Sequence, residues 1–403
     1  MNALVGQGAN LARLLLVAAA AGPAIAGKYA IATVIVGGIT ILTEVGFRQQ
    51  YISTPIESGE RYIHHRLSVA WTLNLSLRFL VIGVVLLLIG GNHFLGLAAD
   101  DTLFAALALA VAGSLAAASN PTLLKRERMG DFRPNTLCES GGQLLGLALV
   151  LALLPTHASL ELLATSQLVA AAAQAFGSYV VAPRYKRAPV DASDLMKMVR
   201  DGRPFIVIAL MTYATYSLDK LVLGWLLDTK TVGSYYMAQR LAEIPVFAFS
   251  AVVGRTALPA YLRADHAGTR AMLEMVRNYT RILFAVFIPG YVIAVTILYT
   301  QWWSFESLEW GSMRTLLSLL LIAAIFRLGC HLVSPAMIMR NDVAIDARFK
   351  VQEAALFVPA LLIATWYFDA VGAAICAIGL YAISWWRRYL FVMRYNGPSP
   401  SCP

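Results

Sequence analysis

Long apolar runs, such as 79–90 and 316–325, recur along the chain, separated by short breaks that carry charge, glycine or proline. A helix needs about 20 apolar residues to cross a bilayer, whereas a transmembrane barrel strand shows weaker alternation over about 10. The pattern therefore predicts twelve crossing helices, over 4–26, 29–46, 67–90, 102–124, 136–154, 160–182, 204–227, 232–258, 279–299, 312–336, 350–368 and 370–392. Tight turns are expected at Gly27 and Lys28, from Asp228 to Thr231 and at Asp369, so the helices flanking each form antiparallel hairpins.

A second, longer periodicity overlies the first. Gly27, Tyr29 and Ala32 are matched by Gly233, Tyr235 and Ala238 at an offset of 206, about half the chain. Two units of six helices are expected, 1–190 and 191–403. Six is an even number, so each unit returns the chain to the side it started from, and the halves are parallel repeats about an axis along the membrane normal. The expected fold is an all-α membrane protein with two pseudo-twofold related six-helix lobes around a central cavity.

Composition agrees with the pattern: 59% of residues are hydrophobic and 14% charged, against about 25% charged in soluble domains. A soluble enzyme is excluded. The net charge of +9 would suggest nucleic acid as a partner in a soluble chain, but 24 of the 32 Lys and Arg lie in alternate breaks, 44–66, 125–135, 183–203, 255–281, 340–350 and 387–394. The opposite breaks contain Lys28 and Lys230 against Asp100, Asp101, Asp228, Glu306, Glu309 and Asp369. Cytoplasmic loops retain positive charge during insertion, so both termini are expected in the cytoplasm of a bacterial inner membrane, with no nucleic-acid partner. The region from Leu11 to Ala26 imitates the apolar core of a signal peptide, but it lacks a basic leader, Arg13 interrupts it, and it is expected to be retained. Cys138, Cys330, Cys376 and Cys402 have no metal-site spacing, and neither a disulfide nor a metal is expected. Trp302, Trp303, Trp310, Trp385 and Trp386 read as interfacial anchors.

The informative residues are charges inside the crossings, because these are costly in lipid and face a bundle interior or a wet cavity. They are Arg13, Arg78, Asp219, Lys220, Arg240, Glu243 and Arg327, with Glu139 near a cytoplasmic end. Asp219 and Arg240 lie at one depth on hairpin neighbours and are expected to pair, and Glu243 shares a helix face with Arg240. Through the offset of 206, Asp219 is also the counterpart of Arg13. Arg78 and Arg327 have snorkelling toward the interface as their plain alternative, and the Asp219–Arg240 pair has a purely structural one. With five cations against two anions, a cavity lined by these groups would select an anion, and phosphate suits arginine through bidentate hydrogen bonds. Arg13, Arg78, Lys220, Arg240, Arg327 and Tyr216 are the candidate substrate-binding residues. Asp219 and Glu243 are candidates for coupling or gating.

Gly22-Pro23, Gly27-Lys28-Tyr29 and Glu44-Val45-Gly46-Phe47 mark the first helical hairpin of the first half, and the second half has further motifs. These are Ser217-Leu218-Asp219-Lys220-Leu221 with Gly224, Val232-Gly233-Ser234-Tyr235, Ala238-Gln239-Arg240-Leu241, Ile244-Pro245 and Leu258-Pro259-Ala260 at the end of a helix. Together they resemble the polysaccharide transporter branch of the multidrug/oligosaccharidyl-lipid/polysaccharide exporter superfamily. The resemblance implies a flippase that moves an undecaprenyl-diphosphate-linked oligosaccharide across the inner membrane by alternating access, in O-antigen, capsule or exopolysaccharide biosynthesis. It implies a cationic cavity with Arg13, Lys220 and Arg240 among its lining residues, and no cofactor beyond a coupling proton or sodium ion. Membrane lipids and other polysaccharide assembly proteins are the expected partners. Many members of that branch carry two more C-terminal helices than the twelve expected here, and 302–311 matches their connection poorly. Two alternatives are a drug or cation antiporter of the same superfamily, which calls for an acidic cavity, and a membrane polymerase or ligase, which calls for paired acid/base groups on the outer surface.

Overall fold

The computed structural model describes residues 2–43, 51, 60–94, 101–129, 131–266, 269–300, 310–339 and 343–394. Among these residues the regular elements are helices: α1 (Asn2–Ala21), α2 (Pro23–Thr43), α3 (Glu60–Phe94), α4 (Asp101–Ala117), α5 (Thr122–Arg128), α6 (Arg133–Leu153), α7 (Leu160–Val181), α8 (Ala192–Leu226), α9 (Thr229–His266), α10 (Thr269–Tyr299), α11 (Trp310–Met339) and α12 (Val343–Arg394). Six helices among the described residues are long and apolar enough to cross a membrane, or seven when α4 and α5, bent by 66°, count as one broken span. The protein is a multi-pass membrane protein. Glu44 to Phe47, Trp302, Trp303, Asp100, Glu306, Glu309 and Cys402 lie outside the described residues.

Three breaks shape the helices. Gly22, at φ +92°, ends α1 in the left-handed region that glycine tolerates, and Pro23 opens α2 with its φ already set. The first turn therefore falls five residues before Gly27, which lies inside α2. The expected 102–124 span divides at Asn120-Pro121: the Asn120 side chain donates to the carbonyls of Ala182 (3.3 Å) and Pro183 (3.0 Å), and Pro121 has no amide to continue α4. Helix α12 has 52 residues, about 78 Å at about 1.5 Å per residue, far more than a hydrocarbon core of about 30 Å. It reverses at Phe368 and Asp369, the latter at φ +51°, as expected from the sequence, and its arms 343–367 and 370–394 form a hairpin.

The helices also outrun the apolar segments at their basic ends. Helix α8 begins at Ala192 instead of 204, and α9 runs to His266, past Leu258-Pro259-Ala260, where the sequence ended it. Arg, Lys, Glu and Met are good helix formers, so the helical backbone persists where the apolar pattern stops.

The chain forms two compact units, 1–213 and 214–403. The expected boundary at 190/191 lies in the connection between α7 and α8. The 206-residue offset holds for whole elements: α2 starts at Pro23 and α9 at Thr229, and 229 − 23 = 206. In the first unit α4 packs against α2 and α3, and in the second α11 packs against their counterparts α9 and α10. The core of the second unit gathers Val246, Tyr261, Met272, Leu283, Leu328 and Val392. Trp385 joins that unit's interior by wedging against Phe284 (ring centroids 5.0 Å) and over Gly329, so it is a packing residue and not a free interfacial anchor. Only 6% of the apolar stretch of α10 is buried, which leaves Ile282, Val286, Val292 and Ile293 for lipid contact.

Lipid removes most of the hydrophobic drive between helices, so small residues that allow close backbone approach carry the packing. Gly142 and Gly146, four apart on α6, meet Ala170 and Ser166, four apart on α7. A Cβ on Gly142 would strike the Ala170 carbonyl oxygen, and one on Gly146 would lie 2.7 Å from the Ser166 carbonyl oxygen. Gly142→Leu is expected to destabilise the first unit by about 1–3 kcal/mol, the usual range for overpacking, read as a lower melting temperature in detergent. At the other hairpin Asp228 caps α9, accepting from the Thr231 amide at 3.3 Å and from the Thr231 hydroxyl. That hydroxyl holds the Asp228 carboxyl below its ordinary range. A lowered folded-state value gives stability that is present above the unfolded value, about 3.9, and is lost as the pH falls through the folded one. Asp228→Ala is expected to lose about 1 kcal/mol at neutral pH, with the gap from wild type narrowing in melts below about pH 4.

Candidate functional site

The second unit collects most of the intramembrane charge. Tyr216, Asp219 and Lys220 share one face of α8 at spacings of three and four residues, and Tyr236, Gln239, Arg240 and Glu243 do so on α9. Asp219 and Lys220 are 4% and 5% exposed. The Lys220 ammonium donates to Asp219 Oδ1 at 2.8 Å and to the Tyr216 carbonyl at 2.9 Å, while the Tyr235 hydroxyl donates to Asp219 Oδ2 at 2.9 Å.

A second group forms about two turns further along α9, around Glu243. Arg327, on α11, donates to Glu243 Oε1 at 2.7 Å, and Arg240 donates to Glu243 Oε2 at 3.4 Å and to the Tyr236 hydroxyl at 3.0 Å. The Arg327 guanidinium also lies 4.2 Å from the centroid of the Tyr216 ring, which stacks on Tyr381 at 5.6 Å and receives the Lys350 ammonium at 5.6 Å. One carboxylate thus holds two guanidinium groups, and one aromatic ring faces two cations, so neither charge type is left to lipid. The sequence paired Asp219 with Arg240. The structure gives Asp219 to Lys220 and Tyr235, and Arg240 to Glu243 and Tyr236.

Between these groups lies an open cleft lined by Thr215, Asp219, Gln239, Glu243, Arg327 and Tyr381, with an apolar wall that includes Phe357. Its carboxylates are both paired, Asp219 with Lys220 and Glu243 with Arg327 and Arg240, so the charged groups around the cleft come to three cations against two anions.

The first unit treats its charge differently. Arg13 on α1 is 2% exposed, yet its hydrogen-bond partners are neutral oxygens: Asn10 at 3.0 Å, Gln167 at 2.7 Å, Ser166 at 3.3 Å and Gln143. Among the described residues no carboxylate bonds to it. Arg78 on α3 is buried against α4, where the Ser114 hydroxyl donates to its carbonyl at 3.2 Å. Six of the eight sequence candidates, Tyr216, Asp219, Lys220, Arg240, Glu243 and Arg327, therefore meet in one unit, and Arg13 and Arg78 occupy separate helix contacts in the other.

Sequence reading missed Tyr235, Gln239, Lys350 and Tyr381 here, and Asn10, Gln143, Ser166 and Gln167 around Arg13. Glutamines inside apolar runs were the available signal. A further network, also missed, holds Arg388, 1% exposed, between Asp346 (2.7 Å) and Glu353 (2.6 Å), with Ser384 beside it, and ties the two arms of α12 together. Among the described residues no group of three or more His, Cys, Asp or Glu is placed to hold a metal ion.

The buried Asp219–Lys220 pair offers a direct check. Breaking one partner of a buried pair typically costs about 3–5 kcal/mol, whereas replacing both with apolar residues is often close to neutral. Asp219→Asn and Lys220→Met are each expected to lower the melting temperature sharply. The double variant Asp219→Leu/Lys220→Met should recover most of the loss in a double-mutant cycle.

Comparison with known proteins places these features among relatives. A family profile described as "Polysaccharide biosynthesis protein" matches residues 11–305. The lipopolysaccharide biosynthesis protein WzxC of Escherichia coli (strain K12) is 22% identical over 181 residues, which span 44% of this chain and 36% of WzxC. The aligned part is thus little more than a third of that relative. Among solved structures, the lipid II flippase MurJ in an inward closed conformation superposes with a TM-score of 0.68 at 12% identity, covering 97% of this chain and 89% of that one. An inward-facing multidrug resistance MATE family transporter of the MOP superfamily gives 0.62 at 13% identity, covering 97% and 94%. The Vibrio cholerae MATE transporter VcmN in its bent form gives 0.54 at 16%, covering 98% and 95%. At such identities the likeness is one of fold: the two-lobe, all-helical transporter architecture expected from the sequence.

Proposed function

The chain belongs to the polysaccharide biosynthesis protein family, and on that premise we propose that it is a flippase for a lipid-linked oligosaccharide. In this reading the carrier is undecaprenyl diphosphate, the membrane is the bacterial inner membrane, both termini are cytoplasmic, and the product feeds O-antigen, capsule or exopolysaccharide assembly. The protein transports by alternating access and makes or breaks no covalent bond. The observation that carries the reading is Arg13. A guanidinium 2% exposed in an apolar unit, bonded to Asn10, Gln143, Ser166 and Gln167 and, among the described residues, to no carboxylate, has its geometry fixed by neutral partners. A phosphate oxygen supplies what that arrangement lacks, and a preset arginine fork loses little entropy on receiving it.

Of the cations Lys220, Arg240 and Arg327 in the second unit, Arg240 is the most exposed, its side chain 30% exposed against 7% and 15%, with its guanidinium over the Tyr236 ring at 5.0 Å. Lys220 and Arg327 are occupied by Asp219 and Glu243, and a proton or sodium ion arriving at either carboxylate would release a cation and so couple ion movement to transport. The two carboxylates in the cleft, Asp219 and Glu243, favour a second reading, export of small cations. That reading gains if cells overproducing the protein expel cationic dyes.

In a strain lacking the protein, lipid-linked glycan is expected to accumulate on the cytoplasmic leaflet, and outward-facing accumulation would point to a polymerase instead. In the complemented strain, Arg13→Ala and Arg240→Ala are each expected to lower surface polysaccharide about tenfold or more, since a charge-assisted hydrogen bond is worth about 1.5–3 kcal/mol. Full activity in either variant would remove that arginine as a diphosphate contact.

A further inference from the structure

Lys350, on the first arm of α12, stands where a helix normally supplies a lysine with a counter-ion. Asp346 lies four residues before it and Glu353 three residues after, the spacings that bring side chains together on one helix face. Both carboxylates turn instead to Arg388 on the second arm, Asp346 at 2.7 Å and Glu353 at 2.6 Å and 3.3 Å. The carboxylates of the neighbouring helices are also committed, Asp219 to Lys220 and Glu243 to Arg327 and Arg240. What remains for the Lys350 ammonium is the Tyr216 ring, 5.6 Å away at its centroid, and among the described residues no oxygen accepts a hydrogen bond from it. A ring face attracts an ammonium but leaves its three N–H groups without acceptors.

The surroundings add positive charge and donors. Arg327 shares the Tyr216 ring, at 4.2 Å from its centroid, and the Arg327 Nε–H is buried and unbonded. His331, one turn past Arg327 on α11, is close enough to Arg327 and Lys350 for their charges to act on it, and an imidazole carries at least one N–H. Lys350 is partly exposed and its ammonium remains accessible, so a ligand reaches it without entering an enclosed space. It lies seven residues after Val343, the first of α12, which at about 1.5 Å per residue is about 10 Å from the basic end of the helix. That is near the level where head groups give way to a hydrocarbon core of about 30 Å. The anion available at that depth is the phosphate of a lipid, and lysine binds phosphate as a point charge.

We infer that Lys350 is a contact for a phosphate group of the lipid-linked substrate, receiving it at the basic end of the second unit. The inference deepens the flippase reading and rests on it for the identity of the lipid. It adds to Arg13 and Arg240 a cation that no charge pattern along the chain singled out.

The test uses the full chain in phosphatidylcholine nanodiscs and titration calorimetry with farnesyl diphosphate and inorganic diphosphate as probes. Farnesyl diphosphate is expected to bind wild type, and to bind Lys350→Met at least about tenfold more weakly, since a charge-assisted hydrogen bond is lost. Lys350→Arg restores the charge and is expected to stay within about threefold of wild type. Arg348→Met removes an exposed cation two residues away and is expected to change the affinity less than about twofold, because an exposed charge is screened. Lys350→Met is also expected to melt at the wild-type temperature or above, because it removes a charge with no counter-ion. No binding of either diphosphate by wild type overturns the proposal. So does equal weakening by Arg348→Met, which would mean a general field and no contact. Unchanged affinity or a lowered melting temperature in Lys350→Met overturns it too, because the ammonium would then only pack on Tyr216. A second series with phosphatidylglycerol in the nanodiscs separates the two sources of a lipid phosphate. If Lys350→Met lowers retention of phosphatidylglycerol and leaves diphosphate affinity unchanged, the site belongs to bilayer lipid and the proposal falls. None of these measurements involves transport. Unchanged diphosphate affinity with cytoplasmic-leaflet accumulation intact refutes this inference alone, and failure of that accumulation refutes the flippase reading alone.

Discussion

A charge carried into hydrocarbon must bring its own solvation, and this requirement organises the interior of both units. The fold meets it in two ways. In the second unit opposite charges are packed together, so that Asp219 receives Lys220 and Tyr235 while Glu243 receives Arg327 and Arg240. In the first unit Arg13 is solvated by amide and hydroxyl oxygens with no opposite charge among its partners. Paired charges largely cancel their desolvation, whereas a dipole-solvated cation keeps a field around it. The two units are therefore alike in scaffold and unlike in electrostatics.

The offset of 206 shows how far the divergence goes. Arg240, Glu243 and Arg327 correspond to Val34, Gly37 and Pro121, none of which can carry charge. In the other direction, Asn10, Gln143, Ser166 and Gln167 correspond to Tyr216, Phe349, Gly372 and Ala373. Apart from Asn10, whose counterpart is Tyr216, and Asp219, whose counterpart is Arg13, these polar groups have apolar or small counterparts in the other repeat, while the glycine, tyrosine and alanine near the first turn, Gly27, Tyr29 and Ala32 with Gly233, Tyr235 and Ala238, stay constant. Helix packing has been kept and side-chain chemistry has been distributed. That outcome is natural when small-residue contacts such as Gly142 and Gly146 on Ala170 and Ser166 hold the helices, because those contacts do not depend on the polar residues nearby.

The helices and the repeat were legible in the sequence because apolar runs and glycine positions encode them directly. The position of the first hairpin was not, because the run from Leu11 to Ala26 is apolar on both sides of Gly22-Pro23 and hydropathy does not sense a backbone dihedral. The residues of the site were legible as charges out of place, and most of them did converge. Their partners were not. Depth along a hairpin puts Asp219 level with Arg240, but which donor reaches a carboxylate depends on azimuth and side-chain length, and there Lys220 and Tyr235 hold Asp219. Tyrosines and glutamines in apolar runs look like ordinary helix residues until the structure shows what their polar atoms do.

The pairing in the second unit has a consequence for a transporter that must release what it binds. A cation whose partners are all neutral, as at Arg13, holds a diphosphate firmly, and a cation buried permanently with its counter-ion would not bind it at all. Arg240 stands between these limits: it shares Glu243 with Arg327 at 3.4 Å against 2.7 Å, and its side chain is 30% exposed. An arriving phosphate exchanges one oxygen anion for another at Arg240, while Arg327 keeps Glu243 neutralised. The free-energy change of such an exchange is small because desolvation has already been met by the resident carboxylate. Small differences of this size are what a carrier needs if binding on one side and release on the other are to proceed at comparable rates.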